Sequence, residues 1–268
     1  MAEATLELDG EQVHARLVPN RGTNGGFSLV IDGTTQSHVN PDDPLDIQLE
    51  YVRHVTNLID AWHPSDAPIS ALHLGGGALS IPRYVAATRP GSRQHVVELH
   101  RELFEFVVDA LPLRDEVELT AEFDDARAAV DRSARFRGGY DLAVVDVFSG
   151  SVAPPNVGTI EFFRGLADLL TPTGIVLVNT LATSELQLSR RMAATLAEEF
   201  EEVTALVSEV VLEGAPGNVV LAASRTSAPL DEILRWTASA PRPVLVLQDD
   251  RLDRFVDGAG PRRDGDSG

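Results

Sequence analysis

The sequence predicts an α/β protein: a doubly wound, mostly parallel sheet of seven strands, preceded by a small antiparallel β unit. Three observations carry that prediction. From residue 69 onward, short apolar runs alternate with segments of helical period, the order that right-handed crossovers fold into a parallel sheet covered on both faces. The first of those runs ends in Gly75-Gly76-Gly77, a tight turn into a helix-compatible segment at 81–88. Residues 1–33 instead alternate apolar and polar positions around Asp9-Gly10 and Asp32-Gly33, the dipeptides of antiparallel hairpins.

Taken in order, strands are expected at 5–8, 12–18 and 27–31, too little chain for a core of their own. Residues 34–45 are polar and interrupted by Pro41 and Pro44, which predicts a connecting loop and closes an N-terminal unit of residues 1–45. Residues 46–61 have helical spacing, with Ile47, Tyr51, Leu58 and either His54 or Val55 on one face. The main domain, 46–248, then has expected strands at 69–74, 94–99, 117–120, 141–147, 174–180, 203–212 and 218–224, with an edge strand at 244–247. Helices are expected at 159–170, 186–200 and 230–238. The end of the chain, 249–268, reads as a disordered tail, because 257–268 is rich in glycine and charge.

Two carboxylates stand out against this pattern. Glu98 ends the second parallel strand, 23 residues after Gly75, where a βαβ nucleotide site places an acid on a ribose hydroxyl. Asp146 ends the nearly all-apolar run 140–147, and open α/β sheets bind ligands at that edge. A structural turn with an exposed strand-end carboxylate is the alternative for the first; a cap for the following helix is the alternative for the second.

Composition narrows the chemistry. Of 268 residues 43% are hydrophobic and 24% charged, as in ordinary globular domains, and no apolar run approaches the length of a membrane span. Residues 1–10 are acidic and lack the order of a signal peptide, so a cytoplasmic location is expected. With no cysteine there are no disulfides, thiolate zinc sites or cysteine nucleophiles. All 22 basic residues are arginine, which excludes a Schiff-base lysine and a P-loop lysine. The net charge of −19 disfavours nucleic acid as a partner and suits a cationic substrate. His63, His73 and His95 lack metal-ligand spacing, so no metal is expected.

Over residues 26–179 the chain resembles the spermidine synthase-like aminopropyltransferases, a branch of the Rossmann-like class I methyltransferase fold. The resemblance runs through Ile31-Asp32-Gly33-Thr34-Thr35-Gln36, Gly75-Gly76-Gly77, Glu98, the pair Asp125-Ala126, the strand 140–146 ending in Asp146, and Pro154-Pro155 with Glu161-Phe162-Phe163. It implies a homodimeric enzyme, its N-terminal β domain in the dimer, that moves an aminopropyl group from decarboxylated S-adenosylmethionine to a small-molecule amine such as putrescine. Within it Asp146 would be the catalytic aspartate. Gln36, the three glycines, Glu98, Asp125 and Ala126 would bind the cosubstrate, and Glu50 and Glu161 would be available to the amine.

The departures from the family pattern are specific. The acid expected after the third glycine is Ala78, and the next two glycines are Leu79 and Ser80. The second acid of the catalytic loop is absent from 147–151. If the early helix is aligned on His54-Val55, the substrate-side tyrosine becomes Gln48, and after Glu98 a second acid is replaced by His100. With Ala78 in place of an acid, intact S-adenosylmethionine would not be repelled, which leaves a small-molecule methyltransferase as one alternative. A non-catalytic nucleoside-binding homologue is another.

Overall fold

The computed structural model describes residues 2–266 apart from 21, 23, 134–136, 148–153, 155, 183–185, 239 and 241. The N-terminal unit is one antiparallel sheet in the order β1-β2-β3-β4, made of β1 (Ala2–Leu8), β2 (Glu11–Pro19), β3 (Phe27–Ile31) and β4 (Thr34–Val39). The fourth strand corrects the expected loop at 34–45. Asp32 and Gly33 both adopt positive φ, the turn that pairs Ile31 with Thr34 and continues the sheet. Because Thr34, Thr35 and Gln36 are exposed and only Ser37, His38 and Val39 are buried, this strand carries no apolar alternation to read. Leu6, Leu8, Ala15, Leu17, Leu29 and Val39 form the inner face, packed on Ala78 and on Leu103, Val107 and Leu111.

The main domain runs α1 (Glu50–Trp62), β5 (Ser70–Leu74), α2 (Ser80–Thr88), β6 (Arg93–Glu98), α3 (Arg101–Ala110), β7 (Glu118–Phe123), α4 (Ala126–Arg132), β8 (Tyr140–Val145), α5 (Ile160–Leu169), β9 (Leu170–Ala182), α6 (Gln187–Leu196), β10 (Glu202–Ser208), α7 (Glu209–Leu212), β11 (Gly217–Ser224), α8 (Leu230–Thr237), β12 (Val244–Leu247) and α9 (Asp249–Val256). Its sheet has eight strands rather than seven, in the order β12-β10-β11-β9-β8-β5-β6-β7. Neighbours from β9 to β7 pair in parallel; β11 is antiparallel to both β9 and β10, and β12 antiparallel to β10.

Alternate residues of each central strand serve two cores. Ala143, Val145, Val176 and Val178 face a layer containing Phe162, Phe163, Met192, Leu252 and Phe255. Leu142, Val144, Ile175 and Leu177 face Val52, Val55, Leu58, Ile59, Ile81 and Val85. Burial on both faces explains why these strands read as continuous apolar runs.

Two further expectations change. The expected strand 203–212 ends at Ser208 and turns into α7. The expected disordered tail 249–268 begins with α9, whose Leu252 and Phe255 are buried, and continues to a buried Arg262.

The chain leaves β5 toward β6 and β7 on one side, while β8 and β9 add on the other. The strand order therefore reverses between β5 and β8, the place at which open α/β sheets bind their ligands. Gly75 follows one of these strands and Asp146 the other.

Candidate active site

The glycine turn is shaped by its neighbours. Gly75 has φ +93°, and a Cβ on it would lie 2.2 Å from the carbonyl oxygen of Asp146. That backbone cannot yield, since Asp146 N–H donates to Leu74 O at 2.9 Å. Gly77 also has positive φ, and Leu79, buried at the start of α2, is left-handed at φ 60°. Glu98 closes the turn from β6. One carboxylate oxygen accepts Gly76 N–H at 2.8 Å and the other accepts His100 N–H at 3.0 Å. Each oxygen keeps acceptor capacity for a further donor.

Asp146 is the centre of a polar chain. Asn179, in the C-terminal half of neighbouring β9, donates its amide to Asp146 Oδ1 at 2.8 Å, and Asn218 on β11 donates to Asn179 Oδ1 at 3.0 Å. The Tyr51 hydroxyl of α1 hydrogen-bonds the same carboxylate. Burial pushes the Asp146 carboxyl above the usual aspartate range. The bonds from Asn179 and Tyr51 oppose this, and the negative charge of Glu98 adds to it. Burial, then the charge of Asp146, holds the Tyr51 hydroxyl well above the ordinary tyrosine range, so Tyr51 is a donor here.

Tyr51 and Asn179 were not among the residues singled out by sequence. Asn179 carried the same signal as Asp146, a polar side chain ending an apolar parallel strand. Tyr51 carried none beyond its place on the helix face, because its partner lies 95 residues away.

The other expected residues take up varied positions. Gln36 is exposed on β4; its neighbour Ser37 lies against Gly77 and within 3.3 Å of the Ser80 hydroxyl, so this strand does reach the turn. Asp125 is the N-cap of α4, accepting Ala128 N–H at 2.9 Å, and Ala126 is buried behind it. Glu50, in the first turn of α1, pairs with exposed Arg242 at 3.3 Å. Glu161 accepts Asp264 N–H at 2.9 Å, an engagement with the C-terminal segment. Residues 148–153 and 155, which include most of the loop after Asp146 and Pro155, lie outside the described residues. Among the described residues, no group of three or more His, Asp or Glu is arranged to hold a metal, and no helix is long and apolar enough to cross a membrane.

Comparison with known proteins follows the same geometry. A solved structure described as a probable spermidine synthase from Corynebacterium glutamicum superposes with a TM-score of 0.88 at 28% identity, covering 99% of this chain and 97% of that one. The chain is spermidine synthase-like. A curated polyamine aminopropyltransferase from Vibrio vulnificus is 28% identical over 200 residues, 74% of this chain and 64% of the relative. The chain thus spans just under two thirds of that relative's length. A spermidine synthase solved with the transition-state analogue AdoDATO shares the fold, at TM-score 0.59 and 13% identity over 87% of this chain and 75% of that one. No family model matches the chain.

In this spermidine synthase-like chain the departures have visible structural settings. Ala78 is fully buried in the core under the N-terminal sheet. Gln48 bonds Asp46, while Tyr51, three residues later, supplies the hydroxyl at Asp146. His100 faces Asp9 at 3.5 Å, tying the first hairpin to the main domain.

Proposed function

We propose that the protein transfers an aminopropyl group from decarboxylated S-adenosylmethionine to an amine, putrescine being the simplest candidate. The observation that carries the reading is the position of Asp146. This half-buried carboxylate, its proton affinity raised, stands at the strand-order reversal, against the glycine turn and within the field of Glu98. The similarity to the Corynebacterium and Vibrio proteins supports the same class of reaction.

In this reaction the amine nitrogen attacks the methylene beside the sulfonium. A C–N bond forms, the C–S bond breaks, and methylthioadenosine leaves with the sulfur electron pair. The amine must first shed a proton, and as an ammonium its pKa is about 10. Asp146 would accept that proton, and its raised affinity for protons favours this role over that of an ordinary surface carboxylate. Tyr51 and Asn179 hold the carboxylate in one orientation, so that little alignment is left to the moment of attack. Glu98, an acceptor at both oxygens, suits the two ribose hydroxyls, and the Asp125 carboxylate suits the adenine amino group. On the same reading the protein acts as a homodimer in the cytoplasm, with sedimentation as the test of its assembly.

Calorimetry with decarboxylated and intact S-adenosylmethionine, with methylthioadenosine as control, tests the proposal together with a turnover assay on putrescine. Tighter binding of the decarboxylated form, with release of methylthioadenosine, is expected. Buried Ala78, which leaves no acid at that position to repel a carboxylate, favours methyl transfer as the second reading. Tighter binding of the intact form would select it.

A further inference from the structure

The C-terminal segment makes a set of bonds that the catalytic reading does not use. Asp264 forms a two-pronged ion pair with Arg127, Oδ1 and Oδ2 each 2.8 Å from a guanidinium nitrogen. The same carboxylate accepts the Thr159 hydroxyl at 2.7 Å. Thr159 is the N-cap of α5 and accepts Phe162 N–H, while Ile160 N–H, another donor left over at that helix start, bonds Arg262 O at 2.9 Å. Arg262 N–H is in turn held by the Thr195 hydroxyl of α6 at 3.0 Å, and Asp264 N–H by Glu161. Hydrogen bonds from Arg127, then Thr159, hold the Asp264 carboxyl below the ordinary aspartate range.

The other end of this arrangement is the α4 start. Arg127 directly follows Asp125 and Ala126, and it lies 3.4 Å from Asn156 O. The Asn156 amide reaches Asp125 Oδ1 at 3.5 Å. One carboxylate near the end of the chain therefore joins the first turn of α4, the segment 156–159 and the start of α5. These flank the edge on which the adenine would rest.

We propose that residues 259–266 form a positioning strap for the adenine edge of the nucleoside pocket, acting through the Arg127–Asp264 pair. The inference rests on the nucleoside-binding half of the function proposed above. Without the pair, the first turn of α4 keeps its own N-cap but is tied to the segment 156–159 only by the long contacts of Asn156 and Thr159, 3.4–3.5 Å, so Asp125 is held less closely. A merely structural strap would lower the melting temperature and leave the affinity of folded protein alone.

The test uses the full-length protein and D264A, D264E and R127K variants. Lysine keeps the charge but cannot make the two-pronged bond. The expected result for D264A and R127K is a Kd for methylthioadenosine, and a KM for decarboxylated S-adenosylmethionine, raised about tenfold, or about 1.4 kcal/mol, as one weakened hydrogen bond to the nucleoside would give. Values of kcat within about twofold of wild type, and recovery of affinity in D264E, complete the expectation. Equal Kd in D264A and wild type, with hydrogen exchange showing the strap released, would overturn it, as would a loss confined to melting temperature. If wild type binds methylthioadenosine but transfers no aminopropyl group, the aminopropyl reading falls and the Kd comparison still decides the strap. If wild type binds no nucleoside, both fall.

Discussion

Replacing Asp146 with asparagine separates chemistry from binding. An asparagine oxygen can still accept from Asn179 and from the Tyr51 hydroxyl, so the polar chain keeps its geometry. What goes is the proton acceptor, and general-base removal costs on the order of 10²–10⁴ in kcat. Affinity for methylthioadenosine should stay within about threefold, since the variant touches neither Glu98 nor the glycine backbone. Stability supplies a second readout. The folded protein holds the Asp146 proton more tightly than the unfolded chain, so its contribution is full below the unfolded pKa near 4 and is lost as pH rises through the raised folded value. Each unit of that rise is worth about 1.4 kcal/mol. At pH 7 the variant should therefore match or exceed wild type in thermal stability, and the difference should vanish near pH 3.5. Methylthioadenosine release followed by chromatography, with calorimetry on the same samples, makes the measurement. Turnover within about fivefold of wild type would remove Asp146 from the mechanism.

Tyr51→Phe deletes a donor to the Asp146 carboxylate. The acid limb of the kcat/KM profile should move to higher pH and kcat should fall about tenfold, checked by a pH series from 5 to 10. Gly75→Ala places a Cβ 2.2 Å from a backbone oxygen at φ +93°, so a loss of about 3 kcal/mol or more in urea unfolding is expected, with insoluble expression as the extreme. His54 and His73 are buried and pushed by desolvation down to about 4. A depressed histidine stabilises fully above its unfolded pKa near 6.5, and this is lost as pH falls toward the folded value. Urea titrations at pH 6.5 and 4.5 should differ by about 2–3 kcal/mol for each histidine, and His73→Gln should remove its share of the slope.

The parallel half of the sheet and its two terminal carboxylates were legible because a strand buried on both faces tolerates no charge except at its ligand edge. Asp146 and Glu98 therefore stood out from their own neighbours. β4 was hidden for the converse reason: half of it is exposed and its buried half is Ser37, His38 and Val39. The glycine- and charge-rich end concealed an amphipathic helix with Leu252 and Phe255 inward, and a strap held by polar bonds rather than apolar burial. Tyr51 lay one turn away from the alignment made on His54-Val55. Glu161, expected near the amine, is engaged by the backbone of a residue 103 positions later, a pairing that no local pattern encodes.

The close approach of Gly75 to the Asp146 carbonyl has a consequence for how such a protein changes over time. The Asp146 peptide and the glycine turn share one wall, with Glu98 clamping its far side. On the proposed function, loosening the grip on the cosubstrate would shift the proton acceptor, and re-aiming the acceptor would disturb the grip. On that same function, new amine preferences are then most readily acquired at partly exposed positions of α1 such as Glu50, where a side chain can vary without moving that shared backbone.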